Sequence, residues 1–436
     1  MERLLSLFYE RFLSGSVIAM LFLTGSLLWL YLRATPFLPV REKRQKGSFA
    51  AGIRGLSVAL AGTLGIGNIV GVAFALLAGG AGAVFWMWAS ALVASIVKYG
   101  EVVLAFRFRD KTGKGGAMYY MREGLGGTLG KCAGATFAVL CLAAALSMGG
   151  LLQSGTVVSA LGAAFGGAPL LWGTLLTVLT AAVIFGGVKS ISSATMRLVP
   201  LMSALYIGMC LAVLAAGRSA LPAAFARIWE EAWSPLSVGG GLGGLMTARA
   251  VRAGVSRGLL SNEAGCGTAP LAHVTSGDVH PVRQGRLGMA EVFIDTALLC
   301  TLTALAILVT YPTLPGDLGG MELLVSVFAP LFGRGAAGAL LAVCIFFFGY
   351  ATIICWAYYG EACLSFLTGS PRAVLVLRIL FCLAVFLGGV AEMEGVWVLT
   401  DCLLALQTLL NLPSMLLLLP KLKRKRGIEG EACPEK

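Results

Sequence analysis

Residues 62–73 read GTLGIGNIVGVA, with four glycines in ten residues and Asn68 directly after Gly67. A glycine in a helix interior costs about 1 kcal/mol relative to alanine, yet this stretch lies inside one of the longest apolar runs of the chain. The chemistry such a segment offers is coordination by the backbone. An unwound turn frees N–H groups for a carboxylate and C=O groups for a cation, and at Gly65 and Gly67 no side chain blocks the approach. Other polar groups sit in apolar runs. Gln153, in SMGGLLQSGTV, is an amide that needs partners in hydrocarbon. Thr352 and Trp356 stand at i and i+4, so one helix face presents a hydroxyl and a large apolar wall to one cavity. Lys98 and Glu101 are three apart and are expected to pair. Asp295 and Asp401 are acids in apolar segments, where an ionised carboxylate costs about 2.5–3.5 kcal/mol on insertion scales, and they read as structural or gating networks.

Catalytic chemistry finds little support. The two histidines, His273 and His280, share one polar segment. The eleven cysteines are scattered without a CxxC pair, so they read as small buried apolar residues rather than metal ligands or disulfides. No GxxxxGK[ST] loop is present, so no ATP site is expected.

The elements that must position these residues are membrane helices. The apolar fraction is 58%, the charged fraction 12% and the mean hydropathy +0.87, values that exclude a soluble globular chain. Apolar segments fall near 14–36, 48–78, 82–107, 131–163, 168–188, 193–216, 237–262, 286–311, 335–366, 373–390 and 394–420, eleven candidate spans. The first, flanked by Glu2 and Glu10 with no A-x-A site after it, reads as a retained helix and not a signal peptide. With the N-terminus outside, alternation puts 27 of the 33 basic residues inside, among them those from Arg249 to Arg286 and the tail from Lys421. The net charge of +12 is thus a topology signal, not a nucleic-acid footprint. The C-terminus is expected in the cytoplasm.

Without the first span, ten remain. The first of these carries the break at 62–73, and the sixth carries GGGLGGLMTARA at 239–250, which includes Gly241. Matching interruptions in two halves of five point to an inverted-repeat secondary transporter with its site at the breaks. Close helix packing accounts for many other glycines. Glu263, in SNEAG, falls at the inner end of the sixth span and reads as an inner gate or loop anchor. The expected organisation is an extra N-terminal helix and basic loop over 1–47, five-helix repeats over 48–216 and 217–420, and a basic tail over 421–436.

The motif GTLGIGNIVGVAFALLAGGAGAVFWMW at 62–88 resembles the alanine or glycine:cation symporter family, also called sodium:alanine symporters. GGAMYYM (115–121), RGLLSNEAGCGTAPLAH (257–273), HPVRQGRLGMAEVFID (280–295) and ATIICWAYYGE (351–361) continue the resemblance in order, over about 50–420. It implies an all-α membrane protein of eleven helices with a five-plus-five inverted-repeat core. It also implies uptake of a small neutral amino acid coupled to Na⁺ in a prokaryotic plasma membrane, with no organic cofactor and no nucleic-acid partner. By resemblance, Thr63, Gly65, Gly67, Asn68, Gln153, Gly241, Thr352 and Trp356 contact substrate. The backbone carbonyls of Ala61, Leu64 and Phe348, with Thr352, face Na⁺. The chain departs from the family pattern at three places. Gly150 and Gly155 stand where asparagine is usual, which implies extra room beside Gln153. Ala351 replaces a serine, which removes one oxygen and keeps H⁺ coupling, or an uncoupled transporter of another small amino acid, as alternatives.

Overall fold

The computed structural model describes residues 2–33, 48–233, 249–277, 280–391 and 395–422. Among them, eight helices are long and apolar enough to cross a membrane, so the protein is a multi-pass membrane protein. The helices are α1 (Leu4–Leu32), α4 (Gly82–Arg107), α5 (Gly127–Phe165), α7 (Gly187–Ala216), α11 (Pro281–Thr310), α13 (Arg334–Thr368), α14 (Pro371–Val390) and α15 (Val396–Leu417). Shorter pieces complete the bundle: α2 (Ser48–Thr63), α3 (Val70–Gly79), α6 (Pro169–Ile184), α8 (Leu221–Ala232), α9 (Arg249–Asn262), α10 (Ala269–His273) and α12 (Gly320–Phe332). Proline in the first turn of α6, α10, α11 and α14 starts each where its missing N–H costs nothing.

Helix α4 is central and packs against α1, α9 and α11. Small residues set these approaches, as expected where lipid supplies no hydrophobic drive between helices. A Cβ on Gly254 of α9 would lie 2.2 Å from the Ala83 carbonyl oxygen. Gly62 is likewise a packing glycine, since a Cβ there would meet the Tyr359 hydroxyl at 2.5 Å. The N-terminal helix is joined to the core by Tyr9, whose hydroxyl shares a 2.9 Å hydrogen bond with that of Ser256.

Several sequence expectations change. Helices α8 and α12 are absent from the eleven spans, being too short to cross. At 1.5 Å per residue they reach only about 20 Å. Helix α12 meets the α3 end of the bundle, where a Cβ on Gly320 would touch the Phe74 ring. The sixth core span is interrupted at a place that the glycine run at 239–250 did not indicate. Residues 239–248, including Gly241, lie outside the described residues, whereas Arg249–Asn262 is continuous helix. The chain leaves the helix at Glu263, which adopts φ 52°, and passes through Gly265 and Gly267 at φ 87° and 77° before α10 begins. Glycine accepts those angles without strain. Glu263 therefore stands directly after the end of α9, at a break buried inside the bundle.

This also moves three arginines. Arg249, Arg252 and Arg257 share a cavity with Phe74 and Ala78 of α3 and with Trp397. The far side of the second break, at His273 and Ser276, meets Gly55 near the start of α2. The segment from Arg249 to Arg286 is thus divided between the two ends of the bundle, because the chain crosses in between.

Substituting Gly254 by valine drives a side chain into the α4 backbone. Overpacking of this kind costs about 1–3 kcal/mol, so G254V is expected to lower the midpoint of thermal unfolding of the purified protein. An unchanged midpoint would contradict the α4–α9 contact.

Candidate functional site

Two interruptions face each other across the bundle. The first runs from Leu64 to Ile69. Gly65 is extended, at φ −117° and ψ −163°, and a 3₁₀ turn over Ile66–Asn68 follows. Hydrocarbon cannot solvate the backbone groups released here, so protein atoms must. The Gly65 N–H donates to the Asn68 Oδ1 at 3.1 Å. The Asn68 Nδ2 donates to Asp295 Oδ1 at 2.5 Å and to Ser261 Oγ at 2.8 Å. The Thr303 hydroxyl donates to the Asn68 carbonyl at 2.9 Å. Asn68 is therefore a strut whose amide is occupied at both ends, and the Thr63 hydroxyl is engaged with Ala59 O of its own helix at 3.2 Å.

Two other carbonyls of this break meet Thr352. The Thr352 Oγ1 lies 3.2 Å from Ala61 O, 3.5 Å from Leu64 O and 3.1 Å from Phe348 O. One hydroxyl proton cannot serve three acceptors at once. Four oxygens converge with a surplus of lone pairs, the arrangement a hard cation takes. Ala351 beside them is wholly buried and adds no oxygen.

Gly65 sits between this cluster and Gln153. A Cβ on it would lie 3.0 Å from Thr352 Oγ1 and 3.4 Å from Gln153 Nε2. Gln153 follows a π-helical stretch, Ala145–Leu152, within α5. Asp295 stands in the corresponding stretch Phe293–Cys300 of α11. Such wide turns recur at functional sites. The Gln153 Oε1 is buried and has no hydrogen-bond partner among the described residues. Gln153 lines a narrow cavity of about 20 Å³ with Ile66, Gly67, Met148, Arg257 and Asp401, among others. A second cavity, about 760 Å³, lies between α1, α3, α9 and α15. Arg257, Trp397 and Asp401 line both. The Arg257 guanidinium stands 5.9 Å from the Trp397 ring centroid. These three residues form the partition between the inner cavity and the wider one.

The second break is held by side chains from four helices. The Glu101 Oε1 accepts from Gly267 N–H at 2.9 Å and from Asn411 Nδ2 at 2.6 Å. Asn411 also donates to Gly265 O at 2.9 Å. The Glu263 carboxylate accepts from Trp356 Nε1 at 3.2 Å and from the Thr268 hydroxyl at 2.7 Å. Asn262, the last residue of α9, turns the chain into the break by accepting from Ala264 N–H at 3.0 Å. Ser261, one residue before it, joins Asn68 and Asp295, so the two breaks share a hydrogen-bonded node.

The structure thus gathers Gly67, Gln153 and Asp401 at one cavity, and Ala61, Leu64, Phe348 and Thr352 at one oxygen cluster. Trp356 is not among the cavity-lining residues. Its indole reaches the second break through Glu263. Lys98 and Glu101 do not pair, because Glu101 is taken by the break while Lys98 Nζ donates to Glu291 at 3.2 Å. The room expected at Gly150 and Gly155 is filled from α14. A Cβ at these positions would meet Ala384 Cβ at 2.9 Å and Gly388 O at 2.8 Å, so neither glycine widens the cavity. Ser261, Arg257, Glu291 and Asn411 escaped the sequence reading. Glu291 and Asn411 carried the same signal as Asp295, a polar residue within an apolar run. Arg257 was hidden by its assignment to the other side.

Comparison with known proteins agrees with this architecture. The fold matches that of MhsT, solved in complex with L-phenylalanine, with a TM-score of 0.62 at 13% identity over 84% of this chain and 87% of MhsT. That likeness shows the fold, an all-helical membrane bundle. The model of the sodium:alanine symporter family matches residues 8–426, and the chain belongs to that family. It is 39% identical over 371 residues to the sodium/alanine symporter AgcS of Methanococcus maripaludis, covering 83% of this chain and 80% of AgcS. It is 36% identical over 379 residues to the probable sodium/glutamine symporter GlnT of Bacillus subtilis, covering 86% and 77%.

Replacing Asn68 by alanine removes one donor from buried Asp295 and the side-chain acceptor from Gly65. Loss of a buried hydrogen-bond partner costs about 1–3 kcal/mol. N68A is therefore expected to lower thermal stability whether or not a substrate is present. A stability equal to that of the unaltered protein would return Asn68 to the ligand-contacting class.

Proposed function

We propose that this protein imports a small neutral amino acid of the alanine or glycine type by Na⁺-coupled alternating access. The orientation has the N-terminus outside and the C-terminus in the cytoplasm of a prokaryote. The core is read as two five-helix repeats, 48–216 and 217–420, whose first helices are both interrupted. One observation carries the reading. Gln153, whose buried Oε1 has no partner among the described residues, and Gly67, which has no side chain, line one cavity, and Gly65 lies between Gln153 and the oxygen cluster at Thr352.

In this reading the substrate ammonium meets Gln153 Oε1, and the backbone around Gly67 accommodates the carboxylate. Na⁺ sits among the carbonyls of Ala61, Leu64 and Phe348 and the Thr352 hydroxyl. Substrate and ion then bind to opposite faces of the same unwound turn, so each orders the turn for the other, which is a direct route to coupling. Arg257, Trp397 and Asp401 act as the outer partition. Asp295 and Glu263 hold the breaks in register. The energetics suffice. One cation crossing about 100 mV contributes about 2.3 kcal/mol. A tenfold ion gradient adds about 1.4 kcal/mol. Together they sustain roughly several-hundredfold accumulation of a zwitterion.

The first test is uptake of labelled alanine and glycine into proteoliposomes with and without an inward Na⁺ gradient. Na⁺-driven accumulation is expected. Uptake without ion dependence would leave an uncoupled transporter. No uptake of either would call for a screen that includes glutamine, the amino acid for which the Bacillus subtilis relative GlnT is named.

Two substitutions should separate the sites. Gln153→Ala removes one hydrogen bond to a charged group, worth about 1.5–3 kcal/mol. It is expected to raise the amino acid concentration for half-maximal uptake tenfold or more, by about 1.4 kcal/mol per decade. Thr352→Ala should instead raise the Na⁺ requirement. Equal effects of both on both ligands would contradict the separation.

A further inference from the structure

Four carboxylates in the described chain are at most 1% exposed: Glu101, Glu263, Glu291 and Asp295. Three of them are satisfied on both oxygens. Glu291 lies against Lys98 on one oxygen and His273 on the other, each at 3.2 Å. Asp295 accepts from Asn68 on Oδ1 and from Ser261 and Thr296 on Oδ2. Glu263 accepts from Trp356 and Thr268 on separate oxygens. Glu101 differs. Both of its donors, Gly267 N–H and Asn411 Nδ2, fall on Oε1. The other oxygen, Oε2, is buried and without a hydrogen-bond partner among the described residues.

That asymmetry has a chemical meaning. An ionised carboxylate shares its charge between two equivalent oxygens, and one of them left bare in a low-dielectric interior carries a large desolvation cost. A neutral carboxylic acid has one carbonyl oxygen that accepts well and one hydroxyl oxygen that needs an acceptor for its proton instead of a donor. Glu101 lacks the donor on Oε2 that the ionised form requires.

We propose that Glu101 is a proton-binding site whose occupancy is coupled to the geometry of the second break. The step is a simple acid–base exchange. A proton from the aqueous side binds Oε2 and forms an O–H bond, and the same bond breaks when the proton leaves. The titratable groups around it come from several elements. Lys98 lies one turn earlier on α4, Glu291 on α11, Cys266 in the break itself, and Tyr120 in the π turn Tyr120–Leu125. The Lys98 ammonium is already engaged by Glu291, and the Tyr120 hydroxyl donates to Asn411 Oδ1 at 2.5 Å. None of these side chains donates to Oε2, and the backbone N–H of Gly265, also near the carboxylate, makes no hydrogen bond to that oxygen. Loss of the proton therefore obliges the carboxylate to find a new donor. Since Oε1 holds Gly267 N–H, and Asn411 holds Gly265 O, such a move disturbs both glycines of the break. Proton affinity then differs between the conformations of the break, which is the condition for linkage to transport.

This inference rests on the transporter reading only for its readout in uptake. In proteoliposomes the unaltered protein is expected to show uptake that changes by at least about threefold across about two pH units, as one titrating group within that window produces, and to respond to a proton gradient with Na⁺ balanced. Glu101→Gln, which keeps an amide carbonyl for Gly267 and fixes the neutral state, is expected to bring the ratio close to one and to abolish the response. The same pH profile in E101Q as in the unaltered protein overturns the proposal. So does unaltered protein whose uptake ignores both pH and a proton gradient, a result that needs no variant to fold. Infrared spectroscopy gives a readout independent of transport. The difference spectrum between the purified unaltered protein and E101Q should contain the carbonyl stretch of a protonated carboxylic acid, and its absence overturns the proposal. If no amino acid is taken up at all, the transport reading fails while the infrared band still decides Glu101.

Discussion

The bilayer interior offers no hydrogen bonds to the backbone, and the rest of this structure depends on that constraint. A helix that unwinds in hydrocarbon releases N–H and C=O groups that only protein can satisfy. Among the described residues the spans unwind at Leu64–Ile69 and at Glu263–Thr268, and each break is surrounded by buried polar side chains from other helices. The acids that looked anomalous in apolar spans are largely the answer to this requirement. Asp295 supports the first break through Asn68, and Glu101 and Glu263 support the second directly.

The two breaks are not independent. Asn68 belongs to the first, Ser261 stands just before the second, and Asp295 accepts from both. A displacement of either break is therefore felt at the other through three side chains. Glu101, Asn411 and Tyr120 extend the same network toward α15 and the π turn after α4. In hydrocarbon such a network has no water to relax into, so it favours discrete arrangements over gradual deformation. That property suits a protein that must alternate between two states.

Against this polar framework, the unsatisfied atoms carry the functional information. The Gln153 Oε1, the surplus lone pairs at Thr352 and the bare Glu101 Oε2 all lie in a fold where most buried polar groups have partners. They lie, respectively, on a residue that lines the inner cavity, in a cluster of four oxygens and on a carboxylate whose donors all fall on its other oxygen. The partition formed by Arg257, Trp397 and Asp401 adds the fourth functional feature, since it divides the inner cavity from the wider one beside the N-terminal helix.

The sequence by itself determined the membrane class, most of the spans, the first break and the family, because hydropathy and local glycine content are properties of contiguous residues. It also singled out Gln153, Thr352, Asp295 and Asp401, since a polar group in an apolar run is visible without neighbours. Only the tertiary structure decided which residues meet. The break at Gly265 and Gly267 was not legible in the sequence, because its unwinding depends on Glu101, Trp356 and Asn411 arriving from distant helices. Lys98 chose Glu291 over the nearer Glu101 for the same reason. The space expected at Gly150 and Gly155 was filled by α14, which no local reading of α5 could foresee. Helix identity is a short-range property, whereas partner choice among buried polar groups is settled by long-range packing, where each group takes whichever partner leaves the fewest groups unsatisfied.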